Sequence, residues 1–149
     1  MIAWHHDGQA WSAAARDADQ MRALGADLAQ VLRPGDVLVL DGPLGAGKTT
    51  FTQGIGAALG VRGSVTSPTF VIARVHRATR GPDLVHVDAY RLGGLAELDD
   101  LDLDTSVVDS ITVVEWGEGL AERLGEQVIV VRIERDVAEC SERRRVRIL

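Results

Sequence analysis

The sequence predicts an α/β fold of three layers, with a mixed, mainly parallel sheet in the middle. Three observations predict it. Short aliphatic runs such as Val37-Leu38-Val39-Leu40 and Ile111-Thr112-Val113-Val114 alternate with segments of helical spacing, the pattern of a sheet covered by helices. Between one such strand and one such helix lies a glycine-rich loop, residues 42–47. Two connections between strands read as hairpins, so the sheet is not purely parallel. The 149 residues are expected to form a single domain over 1–149, large enough for one core but too short for an added substrate domain.

In chain order, a first strand or extended arm is expected near Ile2 to His5. A helix follows: Asp17 and Gln20 make a capping-box pattern, with Met21, Leu24, Leu28 and Leu32 at helical spacing behind it. After the Pro34-Gly35 turn, Asp36 to Leu40 enters the glycine loop as a buried strand. Thr49 to Leu59 reads as a helix, with Phe51, Ile55 and Leu59 four residues apart and Gly60 as its stop. Gly63 to Phe70 is too rich in Ser, Thr and Pro for a helix interior and is expected to be an exposed loop leading into a strand over Phe70 to His76. Arg80-Gly81-Pro82-Asp83 turns the chain into a strand over Leu84 to Asp88, closing a hairpin. A short helix around Leu92, Leu95 and Leu98, a strand over Ile111 to Glu115, a helix over Glu118 to Leu124 and strands near Val128 to Ile133 and Arg145 to Leu149 complete the chain.

The loop Gly42-Pro43-Leu44-Gly45-Ala46-Gly47-Lys48-Thr49 fits G-x-x-x-x-G-K-[ST] at every fixed position. Its strand-loop-helix setting is what a P-loop requires. Amides of Leu44, Gly45, Ala46, Gly47 and Lys48 can face inward as an anion nest, and the helix beginning near Thr49 adds its positive end. Lys48 is the single lysine; the other fifteen of the sixteen Lys and Arg residues are Arg. A slim ammonium on a flexible stem can curl over a phosphate-filled loop where a planar guanidinium is too wide. Thr49 offers a hydroxyl to Mg²⁺. The ligand expected from these residues is a nucleoside triphosphate, and the fold a P-loop NTPase.

Composition excludes other classes. No stretch approaches a membrane span, and Met1 to Asp7 lacks the pattern of a signal peptide. Cys140 is the single cysteine, so no intramolecular disulfide forms, in keeping with a cytoplasmic protein. A formal charge of −6 argues against holding nucleic acid by bulk phosphate neutralisation. Charge is uneven: acids gather between Glu97 and Asp109, and Arg143, Arg144, Arg145 and Arg147 crowd the end. The first reads as a solvated surface, the second as a strand whose charges discourage edge pairing, with a partner or RNA contact as the other reading.

A P-loop needs a carboxylate nearby to position Mg²⁺ and the attacking water. Asp88 and Glu115 each end an aliphatic strand, where an acid can face the ligand crevice of an α/β sheet. At least one is expected to have a metal-linked role. His76 and His86, also on strands, read more simply as packed or surface residues.

Taken together, Gly45 to Phe51, Ser67-Pro68-Thr69-Phe70, His86-Val87-Asp88-Ala89-Tyr90-Arg91-Leu92 and Glu115-Trp116, in this order, closely resemble the bacterial TsaE (YjeE) family of small P-loop ATPases needed for threonylcarbamoyladenosine in tRNA. The resemblance runs from about Asp17 to Trp116. It implies that Lys48, Thr49 and the loop amides hold the phosphates of ATP, that Thr49 and Glu115 bind Mg²⁺, and that Asp88 acts near the γ-phosphate in hydrolysis. Thr50 would support the same site, Ala18 would lie near the adenine, and Ser67 to Phe70 would sense the γ-phosphate. Trp116 would sit by the nucleotide or pack under the sheet edge. The implied partners are similar to TsaD and TsaB, with contact to tRNA indirect. Pro43 and Gly117 depart from residues usual in the family, at variable positions.

A small-molecule kinase needs an arginine-bearing lid, for which Arg74, Arg77 and Arg80 are candidates. A GTPase would need a second lysine to read guanine, and the chain has none. Arg91 is a candidate internal cation, although an outward salt bridge is the simpler role. A module that binds nucleotide without hydrolysis would tolerate loss of Asp88.

Overall fold

The computed structural model describes residues 4–43, 45–61, 65, 73–79, 81–88, 109–115, 128–135 and 143–149. They form strands β1 (His5–His6), β2 (Trp11–Ala15), β3 (Val37–Asp41), β4 (Ala73–His76), β5 (Asp83–Asp88), β6 (Ser110–Glu115), β7 (Val128–Arg135) and β8 (Arg144–Ile148), with helices α1 (Ala18–Ala29) and α2 (Lys48–Leu59). The strands make one sheet in the order β1-β2-β8-β7-β3-β6-β5-β4. The central four, β7, β3, β6 and β5, are parallel to one another, while the pairs on both flanks are antiparallel. The sheet is mixed, and β2 runs in the same direction as the central four.

Helix α1 starts as its sequence dictates. Asp17, in extended backbone, accepts from the Gln20 amide at 2.9 Å, and the Gln20 side chain reaches back to accept from the Arg16 amide at 2.7 Å. Two amides that a helix start leaves orphaned are thereby satisfied. The helix ends at Ala29, with a tighter turn carrying Leu32 against the core instead of extending the helix to it. Helix α2 stops at Gly60, whose φ of 76° is the left-handed region glycine adopts at no steric cost.

The two helices lie on one face of the sheet and touch at glycines. A β-carbon on Gly54 would meet the Arg22 carbonyl oxygen at 1.9 Å, and one on Gly25 would meet that of Phe51 at 2.1 Å. This close approach lets Met21, Leu24, Phe51 and Ile55 share a core with Leu38, Leu40, Leu84, Ile111 and Val113 from the sheet. The opposite face, with Val37, Val39, Val85, Val87 and Val114, is equally buried, as an inner sheet of a layered α/β fold requires. The helices expected around Leu92 to Leu98 and over Glu118 to Leu124 fall outside the described residues, as does the Ser67 to Phe70 loop.

Two expectations need correction. The N-terminal arm is a hairpin, and its second strand, Trp11-Ser12-Ala13-Ala14-Ala15, has too little β-branched character to be read from sequence. Pairing with β8 along its whole length makes it a strand. Asp7 turns the hairpin by accepting from the Gln9 and Ala10 amides, each at 2.9 Å. The arginine-rich strand β8 is not an edge. It lies between β2 and β7 with ladders on both sides, so its charges do not serve to block edge pairing.

Candidate nucleotide site

The parallel centre of the sheet brings three chain segments to one end of β3. Beyond Asp41 the chain enters the glycine loop. Arg132 on β7 anchors this point, its Nε 3.1 Å from Asp41 Oδ2. Gly45 and Gly47 then take φ values of 78° and 104°, conformations that a side chain would strain. Gly47 caps α2, and Lys48 is its first residue.

Lys48 is 7% exposed. Its ammonium donates to the Gly42 carbonyl at 2.7 Å and the Pro43 carbonyl at 3.0 Å, so the stem is curled back over the loop. Ala46 in the same loop is fully buried. Leu44 lies outside the described residues. On the next helical position, the Thr49 hydroxyl donates to Glu115 Oε1 at 3.4 Å. Glu115 is 4% exposed and is the last residue of β6, in register with Leu40 on one side and Asp88 on the other. The positions that end β5 and β6 are therefore paired in register, β6 next to β3 and β5 one strand further out. Behind Glu115, Nε2 of the buried His86 lies 3.2 Å from Oε2, off the line of a hydrogen bond.

The docking of α1 on α2 makes the second wall. A crevice of about 180 Å³ is lined by Asp17, Ala18, Met21, Gly45, Ala46, Gly47, Thr50 and Arg144. Ala18 and Thr50, distant in sequence, thus share one concave surface with the loop. Arg144 was not among the residues singled out from sequence for this site. Its Nη2 donates to the Gly45 carbonyl at 3.5 Å, while Arg135 Nη1 lies 3.8 Å from where a β-carbon of Gly45 would be. Both arginines arrive because β7 and β8 meet just beside β3, a strand order that no spacing in the sequence reveals. Arg77, a lid candidate, is instead paired with Asp83 at 3.2 Å. Arg80, Arg91 and Trp116 lie outside the described residues.

Residues 15–146 match the family model for the threonylcarbamoyl adenosine biosynthesis protein TsaE. The chain belongs to the TsaE family. It is 61% identical over 124 residues to the tRNA threonylcarbamoyladenosine biosynthesis protein TsaE of Streptomyces coelicolor, covering 82% of this chain and 84% of that protein. Its identity with the protein of the same name from Mycobacterium tuberculosis is 56% over 120 residues, 75% of this chain and 71% of that one. A crystal structure of Bacillus subtilis YdiB superposes with a TM-score of 0.69 at 28% identity, covering 99% of this chain and 86% of that one. The TsaE match reaches past Trp116, where the motifs end, through β7 and into β8. The family is one of threonylcarbamoyladenosine biosynthesis in tRNA, and the α/β P-loop fold is that of its structural relative. Among the described residues no helix is long and apolar enough to cross a membrane.

Proposed function

We propose that this chain binds ATP with Mg²⁺ on the glycine loop and hydrolyses it slowly, as a cytoplasmic switch that drives turnover of TsaD-like and TsaB-like partners in tRNA threonylcarbamoyladenosine synthesis. The observation that carries the reading is the meeting of Lys48, Thr49 and Glu115 at the start of α2. Lys48 supplies a cation beside the loop, and the amides of Gly45, Ala46 and Gly47 with the positive end of α2 supply the rest of an anion cradle. The crevice at Ala18 and Thr50 supports placement of the nucleoside on that side.

Thr49 and Glu115 suit a hard divalent cation. Thr49 and Glu115 present two oxygens 3.4 Å apart, close to the separation of roughly 3 Å between neighbouring ligands in a Mg²⁺ octahedron with bonds of 2.0–2.1 Å. Two protein oxygens are a common complement for Mg²⁺, which keeps its waters and takes phosphate oxygens for the remainder. When bound, the ion would supply charge neutralisation on the terminal phosphates. Asp88, beside Glu115 in register, is the residue for orienting the attacking water. Partner dependence rests on family membership and on the absence of a second motif for water activation in the sequence; tRNA contact is through the partners.

The test is ATP turnover by the lone chain and with purified TsaD-like and TsaB-like proteins. Slow hydrolysis that rises when partners are added is the expected result. Rapid turnover indifferent to partners would sink the switch.

A further inference from the structure

From sequence alone His86 reads as a packed or surface strand residue. Its surroundings say more. The ring is fully buried on the helix-facing side of β5, two residues before Asp88. In register it opposes Val113, and Asp88 opposes Glu115, so His86 reaches diagonally to the carboxylate on the next strand. Its Nε2 lies 3.2 Å from Glu115 Oε2, while Oε1 of the same carboxylate faces the Thr49 hydroxyl at 3.4 Å. The two oxygens of Glu115 are thus divided between two neighbours: one toward the core, one toward the P-loop helix.

That division has a cause. A carboxylate 4% exposed is costly to bury unless its oxygens find polar partners. An apolar side chain at position 86 would fill the volume and leave Oε2 facing hydrocarbon, so Glu115 would turn away from it. The imidazole Nε2, 3.2 Å away although off hydrogen-bond alignment, gives Oε2 a polar neighbour, and with its proton on Nε2 it needs only a small turn to donate to that oxygen. Groups that orient a metal-binding side chain from behind are worth about 10–100-fold in metal affinity.

We infer that His86 is a positioning residue: it fixes the rotation of Glu115 so that Oε1 is presented beside Thr49 to a divalent cation. The inference rests on the proposed metal role of Glu115. It assigns to His86 a function in metal affinity that is separate from nucleotide affinity, because the ring lies behind the carboxylate and not in the crevice lined by Ala18 and Thr50.

The experiment measures Mn²⁺ binding by electron paramagnetic resonance on the full chain with ADP, and ADP binding in EDTA, for the parent chain, His86→Leu, His86→Gln and Glu115→Gln. His86→Leu is expected to weaken Mn²⁺ by about tenfold with ADP affinity in EDTA unchanged. His86→Gln, which returns an N–H at similar reach, is expected to recover most of that loss. Unchanged Mn²⁺ affinity in His86→Leu overturns the inference, as does equal loss in the Leu and Gln variants. If Glu115→Gln also leaves Mn²⁺ affinity unchanged, the metal reading itself has failed; if only the His86 variants are silent, this inference alone has failed. Should His86→Leu not fold, ¹⁵N-histidine spectra of the parent chain decide. The His86 Nε2 resonance is expected to move when Mg²⁺ is added to the ADP complex, and its indifference counts against the inference.

Discussion

Thr49 Oγ1 and Glu115 Oε1 stand 3.4 Å apart although they are 66 residues apart in the chain. This is long for a hydroxyl donating to a carboxylate, whose usual range is about 2.5–3.0 Å. The pair joins the first turn of α2 to the end of β6. If the two oxygens share one cation, their effects are not independent. Thr49→Val and Glu115→Gln should each lower Mg²⁺-dependent nucleotide affinity at least about tenfold, and the double variant should lose much less than the product, because residues in one site couple. Calorimetric titration with and without EDTA checks this. Multiplicative losses would mean that the oxygens serve different ligands.

Lys48 reaches back to the Gly42 and Pro43 carbonyls, which places its charge over the loop. Lys48→Ala should reduce nucleotide affinity by about tenfold or more and abolish support of tRNA modification in cells lacking the native protein. Lys48→Arg should not restore it, since the fork-shaped guanidinium cannot follow the same curl. Displacement of a fluorescent nucleotide, beside nucleoside analysis of tRNA, reads both outcomes.

The contact of α1 with α2 leaves no room for a methyl group at Gly54, where a β-carbon would fall 1.9 Å from the Arg22 carbonyl oxygen. Gly54→Ala gains helix propensity of nearly 1 kcal/mol but must push the helices apart, and overpacking costs typically 1–3 kcal/mol. Net destabilisation is expected in urea unfolding. Weaker nucleotide binding should accompany it, because α1 carries Asp17 and Ala18 into the crevice. Gly8→Ala lies in the β1–β2 turn away from this contact, with open space around it, and controls for general substitution effects: its backbone strain at φ 97° should lower stability without touching nucleotide affinity.

His76 on β4 is buried, and its imidazole pKa is pushed below the usual value of 6.5, chiefly by burial and then by the neighbouring His86 and Arg74 side chains. The folded state therefore binds this proton less readily than the unfolded chain. Above pH 6.5 both states hold a neutral ring and the stability is intact. As pH falls below 6.5 toward the folded-state pKa, the unfolded chain takes the proton first and stability declines. Urea midpoints between pH 7.5 and 5 should show this decline, and His76→Phe should reduce its slope. An unchanged slope would place the titration on another group.

Much of this was legible from residues 17 to 60. The Asp17–Gln20 cap, the β3 run, the glycine loop and the Gly60 stop are local signals, and each acts within a few residues of its own position. The pairing of Glu115 with Thr49 was legible only as two candidate ligands, since their meeting depends on β6 lying next to β3. His86 and Arg144 were opaque for the same reason. A histidine on an apolar strand and an arginine in a basic cluster acquire a meaning only when the strand order puts one behind Glu115 and the other beside Gly45. Ala-rich β2 has no strand signal of its own and exists through β8.

That dependence of β2 on β8 sets a timetable for synthesis. Trp11 pairs with Ile148 and Ala15 with Arg144, so a hairpin synthesised early has to wait for a strand that follows it at long sequence separation before its inner edge is closed. Such non-local pairings are slow to form and leave an open strand edge in the meantime. The loop and both helices that flank it can be complete on the ribosome while this side of the sheet stays unfinished, and Arg144, one wall of the crevice, arrives with the strand that finishes it. A nascent chain would thus own its phosphate loop well before it owns a whole binding crevice.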